Sequence, residues 1–191
     1  MKALIRLLSL SAVTLMLGAC ASTHMTEVPE AQRVVRPDPS MALIYFVRAT
    51  SFGGAIQATV YDDDAYIGTV SANTHLPYQA KPGRHMFMIV GESADFMQAD
   101  LLVGKTYYAA VQPRMGVWKA RFSFRPQNGQ SSDAEIKEWL SSTRQVKVNE
   151  EGYKWSRENA ESVQQKKAEY LPQWNSKDNQ DKQILRAESG K

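Results

Sequence analysis

The feature that most constrains this chain is a two-residue periodicity running from Met41 to Pro126, broken at short intervals by turn residues. Side chains alternate between the two faces of a β-strand, so such a pattern folds as half-buried strands. Ile56, Ala58 and Val60 alternate with Gln57, Thr59 and Tyr61, and Asp62-Asp63-Asp64 then reads as a turn before a return strand over 65–70. Residues 84–90, 96–103 and 107–112 continue the series, and Ala120, Phe122 and Phe124 alternate with Lys119, Arg121, Ser123 and Arg125. Met41–Arg48 is continuously apolar and β-rich, which predicts a strand buried on both faces. Residues 73–80 read as a short, edge-like strand because Pro77 has no N–H to give to a ladder. Seven or eight short strands so spaced predict a mainly β protein, an antiparallel β-sandwich.

After Pro126 the character changes. Residues 133–141 read as a short helix, with Ser132 at the N-cap and Glu135 at the capping-box position. A longer helix is expected from Gly152 to about Leu171, ended or kinked by Pro172. Its apolar residues Tyr153, Ala160, Val163, Tyr170 and Trp174 form a thin stripe, so the helix should lie on another surface. Residues 127–191 carry 11 basic and 11 acidic side chains. They are expected to form a helical C-terminal extension to a sandwich domain spanning 41–126.

The N-terminus has the parts of an export signal: Lys2 and Arg6, then an apolar stretch from Leu7 to Leu17 that is too short to span a bilayer. Leu17-Gly18-Ala19-Cys20 follows and resembles the lipobox of bacterial lipoproteins. The resemblance implies cleavage after residue 19 and a diacylglyceryl thioether, with an N-acyl chain, on Cys20. Two or more acyl chains give a stable membrane anchor. Ala21 and Ser22 follow with no Asp at the sorting position, which implies the outer membrane, periplasmic face. Residues 20–40 are polar and punctuated by Pro29, Pro37 and Pro39, so they read as a flexible tether with a span of roughly 25 Å. Cys20 is the chain's one cysteine, so no internal disulfide is available.

The strand region also resembles a known family. Ala42–Arg48, Ser51-Phe52-Gly53-Gly54, Val60-Tyr61 and Tyr66-Ile67-Gly68 are similar to its first half, and Lys81–His85 and Val103–Tyr108 to its second. The family is the bacterial lipoprotein domain of unknown function 2846. The resemblance covers roughly residues 41–126 and implies a sandwich similar to PEGA-like and transthyretin-like modules. It implies no catalytic residues.

Charge and motifs argue against several activities. Without Lys2 and Arg6 the chain carries 21 basic and 20 acidic side chains, so no concentrated basic face is expected to take nucleic acid. Gly104-Lys105-Thr106 ends a loose phosphate-loop pattern, but a strand follows where a helix N-terminus is required, so a hairpin turn is expected and no nucleotide site. Three consecutive aspartates between strands cannot converge on one calcium ion, and His24, His75 and His85 are too scattered for a zinc site. No catalytic residues and no cofactor beyond the lipid on Cys20 are expected. Lys119, Arg121 and Arg125 form a basic strip that is a candidate binding surface, for lipid head groups, lipopolysaccharide phosphates or a protein. Trp118, Trp139, Trp155 and Trp174 either pack the helices on the sandwich or stack on sugars. The expected function is that of a membrane-anchored, non-enzymatic binding or scaffolding module with a cell-envelope protein partner, acting through the sandwich edge, the 51–55 loop or the helical stripe. An envelope hydrolase acting on peptidoglycan or lipid, and a direct binder of glycan or lipopolysaccharide, are the alternatives.

Overall fold

The computed structural model describes residues 22–115 and 120–191. Eleven strands form two packed sheets. They are β1 (Met25–Glu27), β2 (Ala42–Arg48), β3 (Ala58–Asp62), β4 (Ala65–Val70), β5 (Thr74–Ala80), β6 (Gly83–Val90), β7 (Ala94–Leu101), β8 (Thr106–Met115), β9 (Ala120–Pro126), β10 (Arg144–Val148) and β11 (Ile184–Leu185). One sheet has the order β1-β10-β5-β2-β8-β9 and the other β11-β7-β6-β3-β4. The helices are α1 (Asp133–Ser142), α2 (Glu150–Glu158) and α3 (Ala160–Asn175).

The expected sandwich is present, but its sheets are mixed: β2 runs parallel to β8, β10 to β5 and β11 to β7. The cause lies in the connections. β7 belongs to one sheet and β8 to the other, so the Gly104-Lys105 turn crosses between sheets and is not the hairpin expected from the local pattern. Gly104 adopts φ +72, and its N–H donates to the Met41 carbonyl.

The inner core joins Ile44 and Phe46 of β2, Val60, Phe87, Ile89, Met97, Val111, Phe122 and Phe124. Gly68 lets the sheets approach, since a Cβ there would lie 2.6 Å from Leu76 Cδ2. Both outer faces are apolar as well. On the six-stranded sheet, Leu43, Tyr45 and Val47 are covered by Val34 and by Trp139 and Leu140 of α1. On the five-stranded sheet, Tyr61, Met88, Val90 and Phe96 are covered by Val163, Tyr170 and Trp174 of α3. The order of layers is therefore helix, sheet, sheet, helix. Burying a side chain the size of Val163 or larger contributes about 1.5–3 kcal/mol, enough to hold α3 in place.

This arrangement corrects three boundaries. The segment read as a tether is part of the body from Ser22 onward, because β1 pairs with β10 and Met25 and Val28 are buried. The helical C-terminal extension is present and also reaches into the sandwich, because β10 and β11 complete the two sheets and Lys191 exchanges backbone hydrogen bonds with Thr106. The long helix is two helices meeting at Asn159, and α3 continues past Pro172 to Asn175. The physical reason is common to all three: outer faces and edges this apolar must be covered. The capping box of α1 is formed as expected, with Ser132 Oγ accepting from the Glu135 N–H.

Pro77 sits beside a free ladder although β5 is an interior strand. β10 pairs with β5 only at Thr74 and His75, and Pro77 lies beyond that short contact.

Candidate functional site

The structure separates the three surfaces expected to act. The C-terminal part of the helical stripe is consumed within the molecule, since Val163, Tyr170 and Trp174 pack on the chain's own sheet, whereas Tyr153 stays exposed. Lys167 and Gln164 further tie α3 to Asp64, and Lys166 donates to the Gly91 carbonyl.

The 51–55 loop is wrapped around a buried cation. Arg48 is 0% exposed, and its guanidinium donates to the carbonyls of Ile56 (2.7 Å), Phe52 (2.9 Å) and Gly53 (2.8 Å). It also lies 5.0 Å over the Phe122 ring. No carboxylate pairs with it among the described residues, and burial lowers its pKa. Backbone carbonyls turned inward on Arg48 hold the loop closed, leaving the Phe52 side chain 54% exposed.

The sandwich edge is open at β9. Arg121 and Arg125 are exposed there on one face of the strand, and register places Arg114 of β8 directly opposite Arg121. Lys119 lies outside the described residues, as do Leu17, Gly18, Ala19 and Cys20. Arg114, Arg121 and Arg125 form no ion pair among the described residues. Like charges facing each other across strands destabilise the pair. The edge is thus a basic strip, with Glu135, whose pKa Ser132 and Arg125 lower, beside its Arg125 end.

The histidines are structural. His75 is buried at the β5–β10 junction, where its Nδ1 lies 2.7 Å from Thr143 Oγ1. That hydroxyl donates to the Trp139 carbonyl, so the ring must donate to the hydroxyl. Burial pushes the His75 pKa down to about 4, with Arg33 adding to the shift, and the ring is neutral at pH 7. His85 is the opposite case. Its Nδ1 lies 2.9 Å from both Asp62 carboxylate oxygens and its Nε2 2.7 Å from the Lys81 carbonyl. Both neighbours only accept, so both ring nitrogens donate and the ring is the cation; Asp62 raises its pKa. His85 has both ring nitrogens engaged as donors, and the unprotonated nitrogen of His75 is buried within the body. A cleft of about 570 Å³ runs past His85 between Arg84, Asp100, Arg186 and Glu188, with charges of both signs.

The aspartate turn does not converge. Asp62 faces His85 and Tyr78, while Asp64 faces Lys167 and Gln164. No group of three or more potential metal-ligating side chains occurs among the described residues. Trp174 is buried and Trp139 and Trp155 are packed, so no exposed pair of tryptophans is available among the described residues for stacking on a sugar. Trp118 lies outside them. No described helix is long and apolar enough to cross a membrane.

Comparison with known proteins adds a relative and no activity. An "Uncharacterized protein" of Haemophilus influenzae is 27% identical over 117 residues, which is 58% of this chain and 68% of that protein. No family model and no solved structure matches.

Proposed function

We propose that this chain is a lipid-anchored cell-envelope protein that binds a partner without catalysing a reaction, and that its acting surface is the open β9 edge. The observation that carries the reading is the facing pair Arg114 and Arg121, with Arg125 on the same face and Glu135 within electrostatic reach of Arg125 alone of the three. Three exposed guanidinium groups held on adjacent strands suit bidentate recognition of carboxylates or phosphates. Of the three candidate surfaces, this one is neither packed on the chain itself nor folded over a buried ligand. The anchor rests on the lipobox at Leu17–Cys20. The same logic favours the outer membrane, with the body facing the periplasm, and keeps the likeness to the domain of unknown function 2846 as the family reading.

Cys20→Ala in the full-length protein tests the anchor. With residues 1–19 replaced by a cleavable export signal that needs no cysteine, the expected result is loss of metabolically incorporated palmitate and transfer from the membrane pellet to the soluble fraction. Retention of the wild-type protein in the soluble fraction, with no acyl label, would contradict the reading.

A further inference from the structure

The membrane anchor and the folded body are separated by almost no chain. Ser22 is only 4% exposed; its carbonyl accepts from the Met25 N–H and its hydroxyl from the His24 N–H. Cys20 precedes it by two residues, which span at most about 7 Å. The headgroup layer of one leaflet is itself about 5–8 Å thick. A lipid on Cys20 therefore brings whatever surrounds Ser22 into contact with headgroups, where a tether of twenty residues would have held it clear.

What surrounds that point is the first turn of α2. Asn149 Nδ2 donates to the Thr23 carbonyl at 2.9 Å, and the Asn149 N–H donates to the His24 carbonyl. His24 and Trp155 are in ring contact at 5.2 Å. Gly152 is pressed on this segment so closely that a Cβ would lie 2.3 Å from the His24 carbonyl oxygen. The helix so clamped presents Tyr153, 51% exposed, with Lys154 and Arg157 exposed beside it and the carboxylates Glu150 and Glu151 exposed in its first turn. Tyrosine and tryptophan settle at the headgroup level of bilayers, and long cationic side chains extend from it towards water.

We infer that the protein stands directly on the bilayer surface through its β1–β10 edge, with the first turns of α2 seated among the headgroups. The inference rests on the proposed lipidation of Cys20. The opposite edge of the same sheet is five strand spacings away, about 24 Å. That edge is β9, so the seating directs Arg121 and Arg125 away from the membrane that anchors the chain.

Site-specific fluorescence tests this on the full-length lipoprotein in phosphatidylethanolamine–phosphatidylglycerol vesicles. The thioether consumes the thiol of Cys20, so an introduced cysteine is the one free thiol of the chain. Tyr153→Cys, Lys154→Cys and Arg125→Cys are labelled with an environment-sensitive dye and quenched with headgroup-nitroxide lipid. The expected result is strong quenching at 153 and 154, several-fold above that at 125, and its loss when a long Gly-Ser spacer is inserted before Ser22. Weak quenching at 153 and 154, or equal quenching at all three positions, overturns the inference. The mass of the N-terminal peptide separates the two failures: an acylated peptide without quenching sinks the seating alone, whereas an unmodified Cys20 sinks the lipoprotein reading and the seating with it.

Discussion

The two edges of the six-stranded sheet are built in opposite ways. At the β1–β10 edge, the first described strand and a strand between two helices form the outer ladder, bury Met25 and Val146, and pin α2 by its first turn. At the β9 edge the outer strand pairs with β8 alone among the described residues, and arginine faces arginine across that ladder. The first edge buries apolar side chains under a three-residue outer strand, so its residues answer to packing. The other carries a charge arrangement that folding alone does not favour, and such exceptions mark the places where a surface serves something outside the chain.

The largest expected effect tests how tightly the closed edge is packed. Gly152→Ala must move either α2 or the segment around His24, because the new methyl meets a backbone oxygen. Urea denaturation should show a loss of about 2–4 kcal/mol. An unchanged midpoint would mean that the edge is looser than its contacts indicate.

The next effect concerns pH. His75 stays neutral in the folded protein, with its pKa near 4, but titrates normally when unfolded. The unfolded state therefore binds more protons below about pH 6.5, and stability falls as the pH drops towards 4. Between pH 7 and pH 5 the loss should be about 2 kcal/mol, and His75→Gln should flatten that slope in a denaturation series. His85 works the other way. Its contribution is fully present below its unfolded pKa and is lost as the pH rises through the raised folded value, so it does not mimic the acid loss.

The smallest effect has the opposite sign and belongs to the open edge. Arg121→Glu places a carboxylate opposite Arg114, turning a repulsive cross-strand pair into an attractive one. Thermal denaturation should register a gain of about 0.5 kcal/mol. A loss would show that the facing arginines are not under repulsion, and the contrast between the edges would weaken.

The same contrast explains which elements were legible in the sequence. The unbroken apolar run at 42–48 announces a strand covered on both faces, and both covers are present in α1 and the second sheet. Ala65–Val70 was placed to the residue because an aspartate turn precedes it and alternation runs through it. β1 and β11, with three and two residues, are too short to carry any period. In β10 only Val146 and Val148 alternate, between the polar Gln145, Lys147 and Asn149, so the segment reads as a linker between helices. The mixed sheets were illegible for another reason: whether consecutive strands pair depends on contacts across the sandwich, and local pattern carries no information on that. At the candidate surface, the spacing of Arg121 and Arg125 shows one face of one strand, but Arg114 joins them only through the pairing register of β8 and β9.

The central claim is that the open basic edge is where this protein meets its partner, and in-cell photo-crosslinking tests it most directly. A photoreactive amino acid replaces Gln112, which faces Ser123 midway along the β8–β9 ladder, so all three arginines remain. The account predicts a discrete crosslinked adduct that disappears in the Arg121→Glu, Arg125→Glu variant while that variant stays folded and membrane-bound. An adduct pattern unchanged by charge reversal, or no adduct at all from this edge, would contradict it.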